Sequence, residues 1–179
     1  MYKKIAVTNR NLCSDLITQI EKLHNSDFDY IILREKDLSL EEYTALAASA
    51  IKISNKIILH TFTDAAEALK YHKIHLPFNA FVNIADKIKN YDITGVSAHT
   101  IDDAFKAQEL GASYVTISPV FHTSCKPDVP PLGLNKLEYI CSKLSIPVYA
   151  LGGVTFENAQ SCISHGAKGV CMMSQAMIF

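Results

Sequence analysis

One pattern repeats along this chain and restricts its fold more than any other feature. A short apolar run is followed by a polar loop and then by a segment of helix length. The apolar runs fall at residues 4–8, 29–34, 56–60, 73–76, 93–97, 113–118, 147–151 and 168–173. They are rich in β-branched and aromatic residues, and several are apolar at consecutive positions, as strands covered on both faces are. Helix signals lie between them. Ser14 or Asp15 can cap a helix to about residue 24, with Leu16, Ile17, Ile20 and Leu23 on one face. Ser39-Leu-Glu-Glu is a capping box that opens a helix to about residue 53. Thr63 or Asp64 opens another to about residue 71, and residues 80–89 carry a weaker helical pattern. Thr100, with Asp102 and Asp103 in the first turn, starts a helix that Gly111 ends. Two more are predicted over 134–144 and 155–165, the second closed by Gly166.

Strands that alternate with helices predict a parallel α/β fold, and eight of them predict a closed (β/α)8 TIM barrel. An open doubly wound sheet is the rival. It more often has fewer strands and a glycine-rich first turn, whereas Thr8-Asn-Arg-Asn-Leu12 contains no glycine. The 179 residues suit a single domain over 1–179. They make a small barrel, since roughly 200 residues is the usual lower size. After the eighth strand only about one turn of helix remains. A last helix that short leaves room for a homo-oligomer in which a partner covers the barrel's end.

Composition removes several classes of function. Net charge is −1, with Lys and Arg scattered among acids, so no nucleic-acid footprint is present. No apolar run approaches the roughly 20 residues of a membrane span. The first residues enter a strand directly and do not read as a signal peptide, so a cytoplasmic location is expected. The cysteines (Cys13, Cys125, Cys141, Cys162 and Cys171) are odd in number and lack a CxxC spacing. That argues against a disulfide framework and a zinc site. Four of them read as small core residues, and Cys125 lies in a loop.

A (β/α)8 barrel places its active site at the C-terminal ends of its strands. The richest such end is the stretch 111–133, in which a strand stops at Pro119 and passes into His122, Thr123, Ser124, Cys125 and Lys126. Loops that long inside a compact domain are usually functional or disordered. Other strand ends bring Arg34, Glu35 and Lys36; His60 and Thr61; Pro77 and Asn79; Ser97 and His99; Gly152 and Gly153; and Ser174. Arg34, Lys36 and Lys126 can converge on one anion. Gly152-Gly153 leads toward a helix, whose free N–H groups and dipole favour phosphate. Barrels often hold phosphate between the loops after strands 7 and 8, where Ser174 adds a hydroxyl. The reading is a site for a small-molecule phosphate ester. Plainer readings stand beside it: the Arg34–Lys36 charges can be solvated, and the glycine pair can serve its turn alone. His75, inside a strand, reads as a core histidine. His60, His99 and His122 remain candidates to carry a proton at neutral pH.

Five ordered motifs resemble the thiamine phosphate synthase superfamily. They are Ile-Leu-Arg-Glu-Lys (32–36), Ile-His-Leu (74–76), Gly-Val-Ser-Ala-His-Thr (95–100), the segment 111–126, and Pro-Val-Tyr-Ala-Leu-Gly-Gly-Val (147–154). The resemblance implies a (β/α)8 barrel. It also implies one of two activities: joining a pyrimidine methyl diphosphate to a thiazole phosphate with Mg²⁺, or metal-independent TenI-type tautomerisation of a thiazole phosphate carboxylate. In the synthase branch two metal-binding carboxylates stand where this chain has Thr61 and Ala80, and a pyrimidine-contacting Gln stands where it has Ile32. Mg²⁺ is a hard ion that needs carboxylate oxygens, so the resemblance implies no metal site and no cofactor here. Arg34, Lys36, Ser97, Thr123 and Lys126 match positions lining the substrate, and Gly152, Gly153 and Ser174 match the phosphate cradle. His60 stands at the end of the third strand among the candidate substrate contacts. Cys125 resembles the TenI branch. That branch's histidine falls at Pro119, three residues before His122. The expectation is therefore a TenI-like protein of thiamine biosynthesis, with His122 as acid and base and with Lys126 and Arg34 holding the substrate carboxylate. The alternatives are a thiamine phosphate synthase with an altered metal site and a non-catalytic binder of thiazole or thiamine phosphate.

Overall fold

The computed structural model describes residues 2–123 and 127–179. Its strands close on themselves: β1 (Lys3–Val7), β2 (Tyr30–Leu33), β3 (Ile57–His60), β4 (Lys73–Pro77), β5 (Ile93–Ala98), β6 (Tyr114–Ile117), β7 (Val148–Ala150) and β8 (Gly169–Met172). Each runs parallel to the next, and β8 pairs back onto β1. The expected (β/α)8 barrel is therefore the fold.

The helices are α1 (Leu16–His24), α2 (Leu40–Ile53), α3 (Thr63–Ala68), α4 (Phe78–Asn83), α5 (Ile101–Glu109), α6 (Leu134–Lys143), α7 (Ala159–Ser164) and α8 (Ser174–Met177). Asp15, Ser39 and Thr100 cap α1, α2 and α5 through their side chains, and the latter two form complete capping boxes. The last helix is a single turn, as expected. The weak pattern over 80–89 resolves into α4 and a 3-10 turn, Ala85–Asn90. One expectation fails. The helix after the seventh strand begins at Ala159, not at 155. Asn158 turns back: its side-chain oxygen accepts from the Thr155 N–H at 2.8 Å, and its amide donates to the Gly153 carbonyl at 2.9 Å. Such local side-chain bonds compete with helix formation.

Strand alternation divides the apolar residues into two cores. Ile31, Leu33, Ile57, Leu59, Ile74, Leu76, Val115, Ile117, Val148 and Val170 face outward, against Leu16, Ile20, Leu23, Tyr43, Phe81, Leu137 and Ile140 of the helices. Ile5, Val7, Ile32, Ile58, Tyr114, Tyr149 and Cys171 face inward and plug the barrel. The plug is apolar below and polar above. Register places His60 beside His75, His75 beside Gly95, and Ser97 beside Thr116. Among the described residues no helix is long and apolar enough to cross a membrane.

Tyr43 of α2 ties the helix layer to the barrel. Fully buried, it donates to the Leu33 carbonyl at 2.7 Å and accepts from the His60 N–H at 2.8 Å. Both groups stand at strand ends that carry site residues. Tyr43→Phe keeps the packing and leaves one carbonyl and one N–H without this partner. A loss of about 1–3 kcal/mol is expected in urea unfolding. A loss below about 0.5 kcal/mol would mean that other groups take over both bonds.

Candidate functional site

A cavity of about 450 Å³ opens at the C-terminal ends of the strands, a size suited to a small ligand. Arg34, Lys36, His60, Ser97, His122, Thr123, Gly152, Gly153 and Ser174 line it together. The barrel topology thus gathers side chains up to 140 residues apart, Arg34 to Ser174, around one cavity. Lys126 and Cys125 lie outside the described residues. No described residue of the wall is an aspartate or glutamate.

The cations are aimed by a buried acid between them. Glu35 is 3% exposed. It accepts from the Thr8 hydroxyl at 2.6 Å, from the Arg10 backbone N–H at 3.1 Å and from the Arg10 guanidinium at 3.3 Å. Thr8 Oγ1 in turn accepts from the Arg34 N–H at 2.9 Å. Arg10 is also held by Asp37, at 2.6 and 2.7 Å. Strand parity and this clamp turn Glu35 inward to the protein and leave Arg34 and Lys36 on the cavity wall. The plainer alternative of a solvated 34–36 cluster fails only at Glu35, which is buried and structural, while Arg34 and the exposed Lys36 line the cavity.

On the opposite side, Gly152 and Gly153 take φ of 89° and 66°, where a Cβ is disfavoured. They also have no room for one. A side chain at Gly152 would collide with Pro119, and one at Gly153 with Phe121 and the His122 carbonyl. The loop after β6 lies against this turn, with the Val120 N–H on the Leu151 carbonyl at 2.9 Å and the Phe121 N–H on the Gly152 carbonyl at 3.0 Å. The Ser118–Pro119 peptide there is cis. That seam sets His122 on the rim, exposed but against the cavity. Because α7 starts six residues after Gly153, the expected helix N-terminus behind the glycine turn is not there. The turn and Ser174 line the cavity without a helix dipole from α7 behind them.

The floor holds what the sequence reading missed. His75, read as a core histidine, lines the cavity with Pro77, Thr116, Thr155 and Gln175. The missed signal was parity: His75 sits beside His60 across the β3–β4 pair, so both point into the barrel. Their rings stack with centroids 5.7 Å apart. His60 Nδ1 lies 2.7 Å from the Thr61 hydroxyl. His75 reaches the Tyr114 hydroxyl at 3.0 Å and the Ser97 hydroxyl at 2.8 Å. Burial, with His75, Arg34 and Lys36 nearby, drives His60 down to about 2, and burial drives His75 down to about 3.

The described lining residues offer no carboxylate to Mg²⁺. Thr61 is exposed, sits at φ 68° and is engaged with His60, and Ala80 offers no oxygen beyond its backbone. Among the described residues no group of three or more His, Cys, Asp or Glu converges. Mg²⁺ is usually held through one or two carboxylates.

Comparison with known proteins completes the picture. The profile of the thiamine monophosphate synthase family matches residues 5–176. The chain belongs to this family. A protein of Aquifex aeolicus provisionally named thiamine-phosphate synthase 2 is 33% identical over 175 residues, covering 94% of each chain. The thiamine-phosphate synthase of Clostridium acetobutylicum is 29% identical over 181 residues, covering 97% of this chain and 86% of its own. Among solved structures, thiamine phosphate pyrophosphorylase from Pyrococcus furiosus superposes with a TM-score of 0.83 over 97% of this chain and 86% of its own, at 22% identity. That likeness speaks for the fold. These relatives carry the synthase's name, the activity the sequence reading placed second.

The neutral histidines make stability depend on pH. Their folded pKa values lie below the ordinary value near 6.5, so the unfolded chain binds protons that the folded chain refuses. Stability is present above about pH 6.5 and is lost as pH falls toward 3, by up to about 1.4 kcal/mol per pH unit for each ring. His60→Asn is expected to lower the slope of unfolding free energy against pH by about that amount between about pH 6 and 4. An unchanged slope would show that the His60 ring takes up its proton in the folded chain.

Proposed function

We propose that this chain acts in thiamine biosynthesis on a thiazole phosphate held in the barrel mouth. The observation that carries the reading is the wall itself: Arg34 and Lys36 on one side, the Gly152–Gly153 turn and Ser174 on the other, and no carboxylate on the described wall between them. Fixed cations in a partly closed cleft raise the local concentration of an anion. The phosphate belongs at the glycine turn, where two residues without side chains let an anion approach the backbone. The heterocycle belongs over His60, His75 and Ser97. Lys126 is proposed to close the wall from the β6 loop.

The reaction named by the relatives is thiamine-phosphate synthesis, and their names support it as the first reading. In that case Arg34 and Lys36 meet the charge of the second substrate's diphosphate. A second reading, metal-independent tautomerisation of a thiazole phosphate carboxylate, is favoured by one observation: the wall offers imidazoles and cations where an Mg²⁺ site needs carboxylates. His122 on the rim would then take and return the proton, with Arg34 and Lys126 holding the substrate carboxylate.

Titration calorimetry with thiazole phosphate tests the shared part. Saturable binding is expected, weakened about tenfold to a hundredfold by Arg34→Ala, the range of a lost charge-assisted hydrogen bond. No binding by the wild-type chain would remove the substrate reading. Two assays then separate the reactions. Pyrophosphate release with a pyrimidine methyl diphosphate, measured with Mg²⁺ and with chelator, establishes the transferase. Aromatisation of the thiazole carboxylate tautomer, unaffected by chelator and abolished by His122→Ala, establishes the isomerase. Binding with neither turnover identifies a binding protein.

A further inference from the structure

Below the cavity a hydrogen-bonded chain runs Tyr114–His75–Ser97, and its direction can be read from the partners. The Tyr114 hydroxyl is buried, and its partner among the described residues is His75 Nδ1 at 3.0 Å. Were the proton on Nδ1, the tyrosine oxygen would accept it and the hydroxyl's own hydrogen would be buried without an acceptor, a costly arrangement. Tyr114 therefore donates, and Nδ1 carries the lone pair. A neutral imidazole with a bare Nδ1 has its proton on Nε2. That N–H points at Ser97 Oγ, 2.8 Å away. The Thr116 hydroxyl stands 3.5 Å from Ser97 Oγ, longer than an ordinary O–H···O bond. With its oxygen accepting from His75, the Ser97 hydroxyl turns its own hydrogen away from the imidazole, and the cavity that it lines is open to it.

Gly95 supports this chain sterically. It stands between His75 and Tyr114 in the strand register, and any side chain there would collide with the Tyr114 ring and with His75 Nδ1. The missing Cβ is what lets the phenol reach the imidazole.

We propose that His75 and Tyr114 are positioning residues that turn Ser97 into a donor toward the cavity, so that the site favours a ligand presenting a hydrogen-bond acceptor at the barrel floor. The acceptor is an unprotonated ring nitrogen or a carboxylate oxygen at the end of the ligand away from its phosphate. A ligand that places an N–H over Ser97 binds less well, because the His75 N–H already takes one lone pair of the Ser97 oxygen. This rests on the reading that a thiazole phosphate occupies the mouth, and it adds which protonation state of its ring end is taken.

Two measurements on the full chain test it. Long-range 15N–1H correlation spectra report the tautomer of each histidine without any ligand. His75 is expected to carry its proton on Nε2 in the wild type and to lose that fixed preference in Tyr114→Phe. A wild-type proton on Nδ1 overturns the proposal. Calorimetry with thiazole phosphate is expected to show binding weakened about five- to tenfold by Ser97→Ala and by Tyr114→Phe, the size of one neutral hydrogen bond. Ser97→Thr, which keeps the hydroxyl, is expected to restore most of the affinity. Binding equal to wild type in both Ser97→Ala and Tyr114→Phe overturns the proposal while leaving the substrate reading intact. If the wild type takes up no thiazole phosphate, the substrate reading falls, and the tautomer spectrum still decides the direction of the chain.

Discussion

Everything in this molecule depends on the closure of eight short strands into one barrel. Closure makes each strand two-faced. Outward residues must be apolar to meet the helices, and inward residues must fill a narrow space that only the mouth connects to water. An uncompensated charge inside that space is costly. The interior is accordingly apolar at its base, with Ile5, Ile58 and Tyr149. Near the mouth it becomes polar but uncharged, with His60, His75, Ser97 and Thr116 hydrogen-bonded to one another or to neighbouring hydroxyls. The cations begin only above that layer, at Arg34 and Lys36.

The division of labour at the mouth follows from this layering. Glu35 is the buried carboxylate of the region, and it is consumed by Thr8 and Arg10 rather than offered to the cavity. The acid fastens the β1 and β2 loops to each other and so sets the direction of its two cationic neighbours. Across the mouth the β6 loop and the Gly152–Gly153 turn pack so tightly that neither glycine can carry a side chain. The cleft therefore presents cations from one side and a tight backbone turn from the other.

Much of this was legible in the chain before any fold was known. Apolar runs of strand length and the caps at Asp15, Ser39 and Thr100 are local features, written in neighbouring residues. Helix starts could be placed wherever the capping group and the first turn were adjacent. The misplacement at residue 155 has the same origin: a helical pattern over 155–165 is local, but the bonds from Asn158 to Thr155 and Gly153 form only once the turn is folded. His75 is the buried, hydrogen-bonded core histidine that its place in a strand suggests, but a histidine in a strand looks the same whether it faces helices or cavity. Only the register against His60 and Gly95 decides which.

The sequence by itself determined the fold class, the end of the barrel at which chemistry collects, and most of the residues there, because strand order and strand ends are properties of chain position. Tertiary structure alone decided how those groups act. It turned Glu35 away from the cavity and Arg34 toward it, took the α7 helix away from the glycine turn, brought His122 to the rim, and joined Tyr114, His75 and Ser97 into one chain. Burial, hydrogen-bond direction and the pKa values of His60 and His75 arise from groups distant in sequence and adjacent in space, and no local pattern encodes them.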